Sequence, residues 1–88
     1  MSPEVHKIIF AISNPLRLEA LALISELPLS AGTITYLLEE SQLSVAHHLR
    51  ILRQAGLVRR ERKGVHVIYK LADARTRLFA RGFVNLLR

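Results

Sequence analysis

SQLSVAHHLRILRQAGLVRRERKGVHVIYKL, residues Ser41–Leu71, runs a short helix directly into a basic two-stranded hairpin. Ser41 can accept a hydrogen bond from an orphan amide of the first turn, and behind it Val45, His48, Leu49 and Leu52 recur on one helical face. Leu43, His47, Arg50 and Gln54 share the other face. Gly56 supplies the left-handed residue at which helices commonly end. Leu57–Arg62 and Val65–Leu71 read as strands joined by the two-residue connection Lys63-Gly64. If Arg62 pairs with Val65, Val58 falls opposite Tyr69. One face of the hairpin then carries Val58, Val65, Val67, Tyr69 and Leu71, with Arg60 and Arg62 joining it toward the tip. This is the outline of a DNA-reading helix followed by a wing.

Upstream, Ser2 and Pro3 start a first helix in which Val5, Ile8, Ile9 and Ile12 form a single apolar face. Ser13 and Asn14 end it, and Asn14 with Pro15 starts a second helix to about Glu26. Leu16, Leu18, Ala20, Leu21, Leu23 and Ile24 cover nearly all sides of that helix, which marks it as central. Pro28 ends it, Ser30 to Gly32 read as a loop, and a short helix follows from about Thr33 to Glu40 with Ile34, Leu37 and Leu38 inward. After the hairpin, Asp73 caps a last helix to about Leu87, whose apolar positions are Leu78, Phe79, Gly82, Phe83, Leu86 and Leu87. The expected fold is therefore mainly α with a small β-hairpin, an α+β winged helix-turn-helix in the order α-α-α-α-β-β-α, forming one domain over residues 1–88.

Charge is segregated along the 88 residues. Positions 1–49 hold two Lys/Arg against five Asp/Glu and positions 50–88 hold eleven against two, so the halves carry about −3 and +9 of the net +6. Segregated positive charge makes a defined electrostatic footprint, and nucleic acid is the first partner it suggests. Half of the residues are hydrophobic, more than one small core should need, and self-association is the simplest use for the surplus. With no cysteine there is no disulfide framework or thiolate ligand, which fits a cytoplasmic setting. The apolar runs fall short of a bilayer span and the amino terminus reads as a helix start, so neither secretion nor membrane insertion is expected. No paired acid and base at fixed spacing, phosphate-cradling glycine loop or metal motif is present, so an enzyme is not expected and no catalytic residue is assigned.

Three segments together resemble the ArsR/SmtB family of winged-helix transcriptional regulators across essentially the whole chain. NPLRLEALALISEL is similar to the family's Asn/Asp-Pro-x-Arg-Leu opening of the second helix. SQLSVAHHLRILRQAGLV is similar to its Ser-Gln-x-x-Val-x-His-His-Leu reading helix, the most specific of the three, and RRERKGVHVIYKL to its wing. The resemblance implies a dimeric repressor whose first and last helices pair about a two-fold axis. It further implies a pseudo-palindromic operator with half-sites roughly 34–36 Å apart. The expected interface residues are Val5, Ile8, Ile12, Leu78, Phe79, Gly82 and Phe83, and Gly82 would let helices approach closely.

The chain departs from the family at its metal sites. Ser30 and Gly32 stand where thiolate members carry Cys-x-Cys, and Asp73 to Arg88 contains no His or Glu for a last-helix site. No metal site, cofactor or metal response is expected, and the identity of any effector stays open. At the turn between the third and fourth helices the family usually has Gly and an apolar residue, whereas this chain has Glu39 and Glu40. A β-carbon there makes the usual left-handed conformation costly. Two carboxylates near phosphates oppose binding, although they suit the dipole of the following helix.

Gln42, Leu43, Ser44, His47 and Arg50 lie where side chains can reach base edges. Gln suits adenine, Arg suits guanine and Leu can meet a thymine methyl; the alternative is a solvated helix face. Arg60, Arg62 and Lys63, beside Arg59, are expected to meet phosphates or enter a minor groove, against the alternative of a solubilising face or a protected edge strand. Arg53 reads as a phosphate contact or a surface charge. His47 and His48 point about 100° apart and cannot easily grip one ion, so His48 reads as a hydrogen-bonded core residue. The rival function is a winged-helix interaction or assembly module whose basic face meets an acidic partner.

Overall fold

The computed structural model describes residues 2–87. Asn14 Oδ1 accepts from the amides of Leu16 and Arg17 at 2.9 and 3.1 Å, which separates α1 (Pro3–Ile12) from α2 (Pro15–Glu26). After β1 (Leu29–Ser30), Ser30 caps α3 (Ala31–Leu38) by accepting from Thr33 N at 3.1 Å. Ser41 does the same for α4 (Gln42–Gln54) through Ser44 N at 3.1 Å. The hairpin is β2 (Val58–Lys63) and β3 (His66–Leu71), and α5 (Ala74–Leu86) closes the order. Asp73 Oδ1 caps α5, accepting from the amide of Thr76 at 2.9 Å and its hydroxyl at 3.0 Å; these bonds hold the Asp73 carboxyl below its ordinary pKa.

Five helices with an antiparallel sheet make this a winged helix, in the predicted helical order. The sheet, however, has three strands in the order β1-β3-β2. Leu29, just after Pro28, and Ser30, expected to begin a loop, pair with Tyr69 and Ile68. A two-residue strand is too short for periodicity to signal. Its partner β3 supplies the ladder that makes it a strand. α3 consequently begins at Ala31 rather than Thr33, and Leu37 is exposed although expected inward.

The hairpin register also differs. Val58 pairs with Leu71, Arg60 with Tyr69, Arg62 with Val67 and Lys63 with His66, so Gly64-Val65 forms the two-residue turn in place of Lys63-Gly64. Gly64 takes φ +64°, the positive value a tight hairpin turn needs at its first position. A shift of two residues preserves the pleat, so Val58, Arg60 and Arg62 still share a face with Val67, Tyr69 and Leu71. Val65 leaves that face for the turn and is 88 % exposed.

The core gathers Leu21 and Ile24 of α2, Ile34 of α3, Val45, Leu49 and Leu52 of α4, and Val58 of β2, all essentially buried. Each such side chain contributes about 1.5–3 kcal/mol through burial. The three α4 residues fix that helix's rotation, and this decides which side chains it presents outward. Its end is fixed by a Schellman motif. Gly56, at φ +77°, donates to Arg53 O and Leu57 N donates to Leu52 O, both at 3.0 Å, while Leu52 and Leu57 are both buried. The wing thus leaves the reading helix through a defined turn.

Candidate nucleic-acid interface

Because Val45, Leu49 and Leu52 point inward, Gln42, Leu43, His47 and Arg50 are all exposed, with Leu43 at 82 %. A leucine so exposed on an ordered helix stabilises nothing within the subunit. Ser44 differs from these four. It is half-buried, and its hydroxyl donates to Glu40 Oε1 at 3.1 Å, so it is committed to the turn before the helix. Arg53 is half-buried, and its Nε–H is a buried donor without an acceptor.

On the wing, Arg59, Arg60, Arg62 and Lys63 are exposed. Glu61, in their midst, pairs with Lys70 at 3.0 Å. Its carboxyl lies below its ordinary pKa, chiefly because Lys70 donates a hydrogen bond to it. The acid and the lysine therefore cancel, leaving the four other cations as the wing's net charge. Arg60 and Arg62 occupy one pleat face and Arg59 and Lys63 the other, so the positive potential surrounds the strand.

The turn between α3 and α4 keeps the left-handed geometry despite lacking glycine. Glu39 adopts φ 55°, ψ 42°, its amide donates to Tyr36 O at 3.2 Å, and Glu40 N donates to Thr35 O at 3.4 Å. Leu38, buried just before it, and the Ser41 cap just after it hold the chain in this path. The β-carbon costs about 1–2 kcal/mol there, partly offset by the greater unfolded-state freedom of glycine, about 0.5–1 kcal/mol. Glu39→Gly should therefore raise the melting temperature by roughly 2–6 °C. A thermal melt with no rise would show that the strain at Glu39 does not exceed the unfolded-state entropy that glycine adds.

The dimer candidates fall into two groups. Ile8, Ile12 and Phe79 line one groove of about 460 Å³ between α1 and the start of α5, together with Leu57 and Thr76. Val5 and Leu78 are exposed outside it. Gly82 is exposed too, with no atom within 4 Å of where a Cβ would stand. Phe83 is half-buried, so it serves its own subunit in part. Ile9 and Phe10, not among the candidates, are exposed as well and widen the apolar face of α1.

Arg17 is the functional candidate that sequence reasoning missed. It is 5 % exposed, its Nε donates to Ala11 O at 2.7 Å and its Nη2 to Phe10 O at 2.9 Å. Its Nη1 lies 3.2 Å from His48 Nδ1, so His48 is the partly buried, hydrogen-bonded residue expected. The available signal was an arginine on a helix apolar on nearly all sides, together with a histidine on the inward face of α4.

Residues 14–60 match the family model described as bacterial regulatory protein, arsR family. The chain is similar to the transcriptional repressor SdpR of Bacillus subtilis, 39 % identical over 61 residues, which is 69 % of this chain and 68 % of that protein. It spans about half the length of two further curated relatives. Among solved structures, HlyU from Vibrio cholerae superposes with a TM-score of 0.87 at 28 % identity, covering 94 % of this chain and 90 % of that one. A homodimeric winged helix-turn-helix DNA-binding domain from Mycobacterium bovis gives 0.86 at 21 % identity over 96 % and 77 %, a likeness of fold alone.

Proposed function

The chain belongs to the bacterial arsR family of regulatory proteins, and on that premise we propose that it is a transcriptional repressor reading a pseudo-palindromic duplex operator as a homodimer. The family is one of DNA-binding transcriptional regulators, not of enzymes. The observation that carries the finer reading is the outward face of α4, where Leu43, His47 and Arg50 are held exposed by three buried residues, beside a wing of uncompensated cations. In this reading Gln42, Leu43, His47 and Arg50 meet base edges, Ser44 assists through the turn, and Arg60, Arg62 and Lys63 meet phosphates.

Residues 1–88 act as one domain whose terminal helices supply the dimer contact. The exposed apolar surface of α1 and α5 supports this, and the Mycobacterium bovis neighbour is itself described as homodimeric. The protein does not respond to metals. Its sequence has no cysteine, and the last helix has no His or Glu.

The test is Arg50→Ala, assayed on a duplex selected from the genomic fragments the protein retains and on random duplex. A lost bidentate base contact costs about 1–3 kcal/mol at one base position and leaves random DNA almost unchanged. Equal losses on both duplexes would remove Arg50 from the base-reading set. Absence of any salt-dependent duplex binding would favour an assembly module with an acidic protein partner.

A further inference from the structure

Arg17 is the one charged side chain nearly removed from solvent among the described residues. Through it three helices meet: it belongs to α2, it donates to the Phe10 and Ala11 carbonyls at the end of α1, and it reaches His48 on α4. Its guanidinium carbon also stands 5.0 Å from the centre of the Phe10 ring. A guanidinium is always a donor, so His48 Nδ1 must accept and the ring's single proton sits on Nε2. A second proton would leave no acceptor and set two cations at this 3.2 Å contact.

We infer that Arg17 and His48 are positioning residues that fix the DNA-reading helix against α1, and that protonating His48 opens this joint and weakens DNA binding. The inference rests on the reading of α4 as the helix that meets DNA. It assigns the pair no contact with bases.

The charges around His48 largely oppose protonation. Arg17 faces it from α2 and His47 stands beside it on α4, while Glu40, from the turn before α4, favours the charged ring. α3 carries no charged residue. α1 brings Lys7 alongside Ile51 and Gln54 further down α4. β2 brings exposed Arg59, Arg60, Arg62 and Lys63, with Glu61 committed to Lys70. Burial first, then Arg17 and His47, hold the His48 pKa below its ordinary 6.5 against the pull of Glu40. The sign follows from the lowered folded-state value. The neutral joint's contribution is full above 6.5 and is lost as pH falls from there toward that value.

Ordinary electrostatics runs the other way. Any exposed histidine that gains a proton adds positive charge and tightens binding to a polyanion. Weaker binding at low pH is therefore a signature of the joint rather than of net charge.

The experiment measures affinity for the selected duplex at fixed ionic strength from about pH 8 down to about pH 5.5, with circular dichroism following the fold throughout. The wild-type protein should weaken progressively as pH falls, by less than the roughly tenfold that a ring titrating at its ordinary value would set at about pH 5.5. His48→Asn, whose Oδ1 can accept in place of Nδ1 and does not titrate, should retain affinity and lose the weakening. Identical pH profiles for the two proteins overturn the proposal. Nitrogen-15 spectra of the free wild-type protein give an independent readout: the His48 ring should carry its proton on Nε2 at neutral pH, and a ring protonated at Nδ1 overturns the joint whatever the DNA result. The expected tautomer in a protein that binds no duplex at any pH would overturn the DNA reading while leaving the joint itself standing.

Discussion

Phe79→Glu is expected to leave the subunit folded but monomeric, with operator affinity lower by roughly 10²–10⁴-fold. Phe79 is 42 % exposed in the isolated subunit, so a carboxylate there can stay hydrated. α5 packs onto its own subunit through buried Thr76 and Ala80, which the substitution does not touch. Pairing of α1 and α5 across a two-fold axis would enclose two such carboxylates among Ile8, Ile12 and the partner's apolar surface. Each would be buried without a partner, at a cost of several kcal/mol. A monomer then loses the second half-site and the effective concentration that links the two. Phe83 is a less clean choice for this test, because it is half-buried within the subunit and its loss mixes dimer contact with folding. Sedimentation at micromolar concentration with a parallel duplex titration decides the matter. A monomeric wild-type protein, or a dimeric variant with undiminished affinity, would refute the proposed interface.

Replacing Arg60, Arg62 and Lys63 together by alanine should weaken binding to every duplex, specific and random, by on the order of a thousandfold at low salt. Each phosphate contact contributes about 0.9 to the slope of log affinity against log salt, so six lost contacts in a dimer flatten it by roughly 5. These side chains are exposed and their removal empties no core position, so the melting temperature should barely move. Glu61→Ala with Lys70→Ala is the contrasting variant. The two charges are paired at 3.0 Å and cancel, so removing both leaves the wing's net charge, and hence the salt slope, nearly unchanged. An unchanged salt slope in the triple variant would mean that the wing is a solubilising face and does not touch phosphate.

Much of the molecule was legible from local chemistry. Asn14-Pro15, Ser41 and Asp73 start helices because a short polar side chain can satisfy orphan amides from within its own turn. Gly56 ends α4 because its left-handed conformation carries no β-carbon penalty. The inward set Val45, Leu49 and Leu52 was readable because helical periodicity is a property of the backbone, and it fixed the outward residues by exclusion. The proposed pairing of the first and last helices rests on the family resemblance, with which the apolar surplus of the composition agrees.

What failed to appear in the sequence depends on partners distant along the chain. β1 is two residues long and exists because β3 offers a ladder. The hairpin turn moved to Gly64-Val65 because pairing along the whole of β2 and β3 set the register, and both alternatives place the same residues on the same face. Glu39 holds a conformation its own chemistry disfavours, since the core contact of Leu38 on one side and the Ser41 cap on the other leave no other path. The bond from Arg17 to His48 spans 31 positions. Sequence alone thus determined which segments are helical, which faces are apolar and where the charge lies, because those follow from each residue's own backbone and solvation preferences. Tertiary structure alone decided the strand register, the strained turn and the buried joint between helices, because each arises only when remote segments compete for the same hydrogen bonds and the same volume.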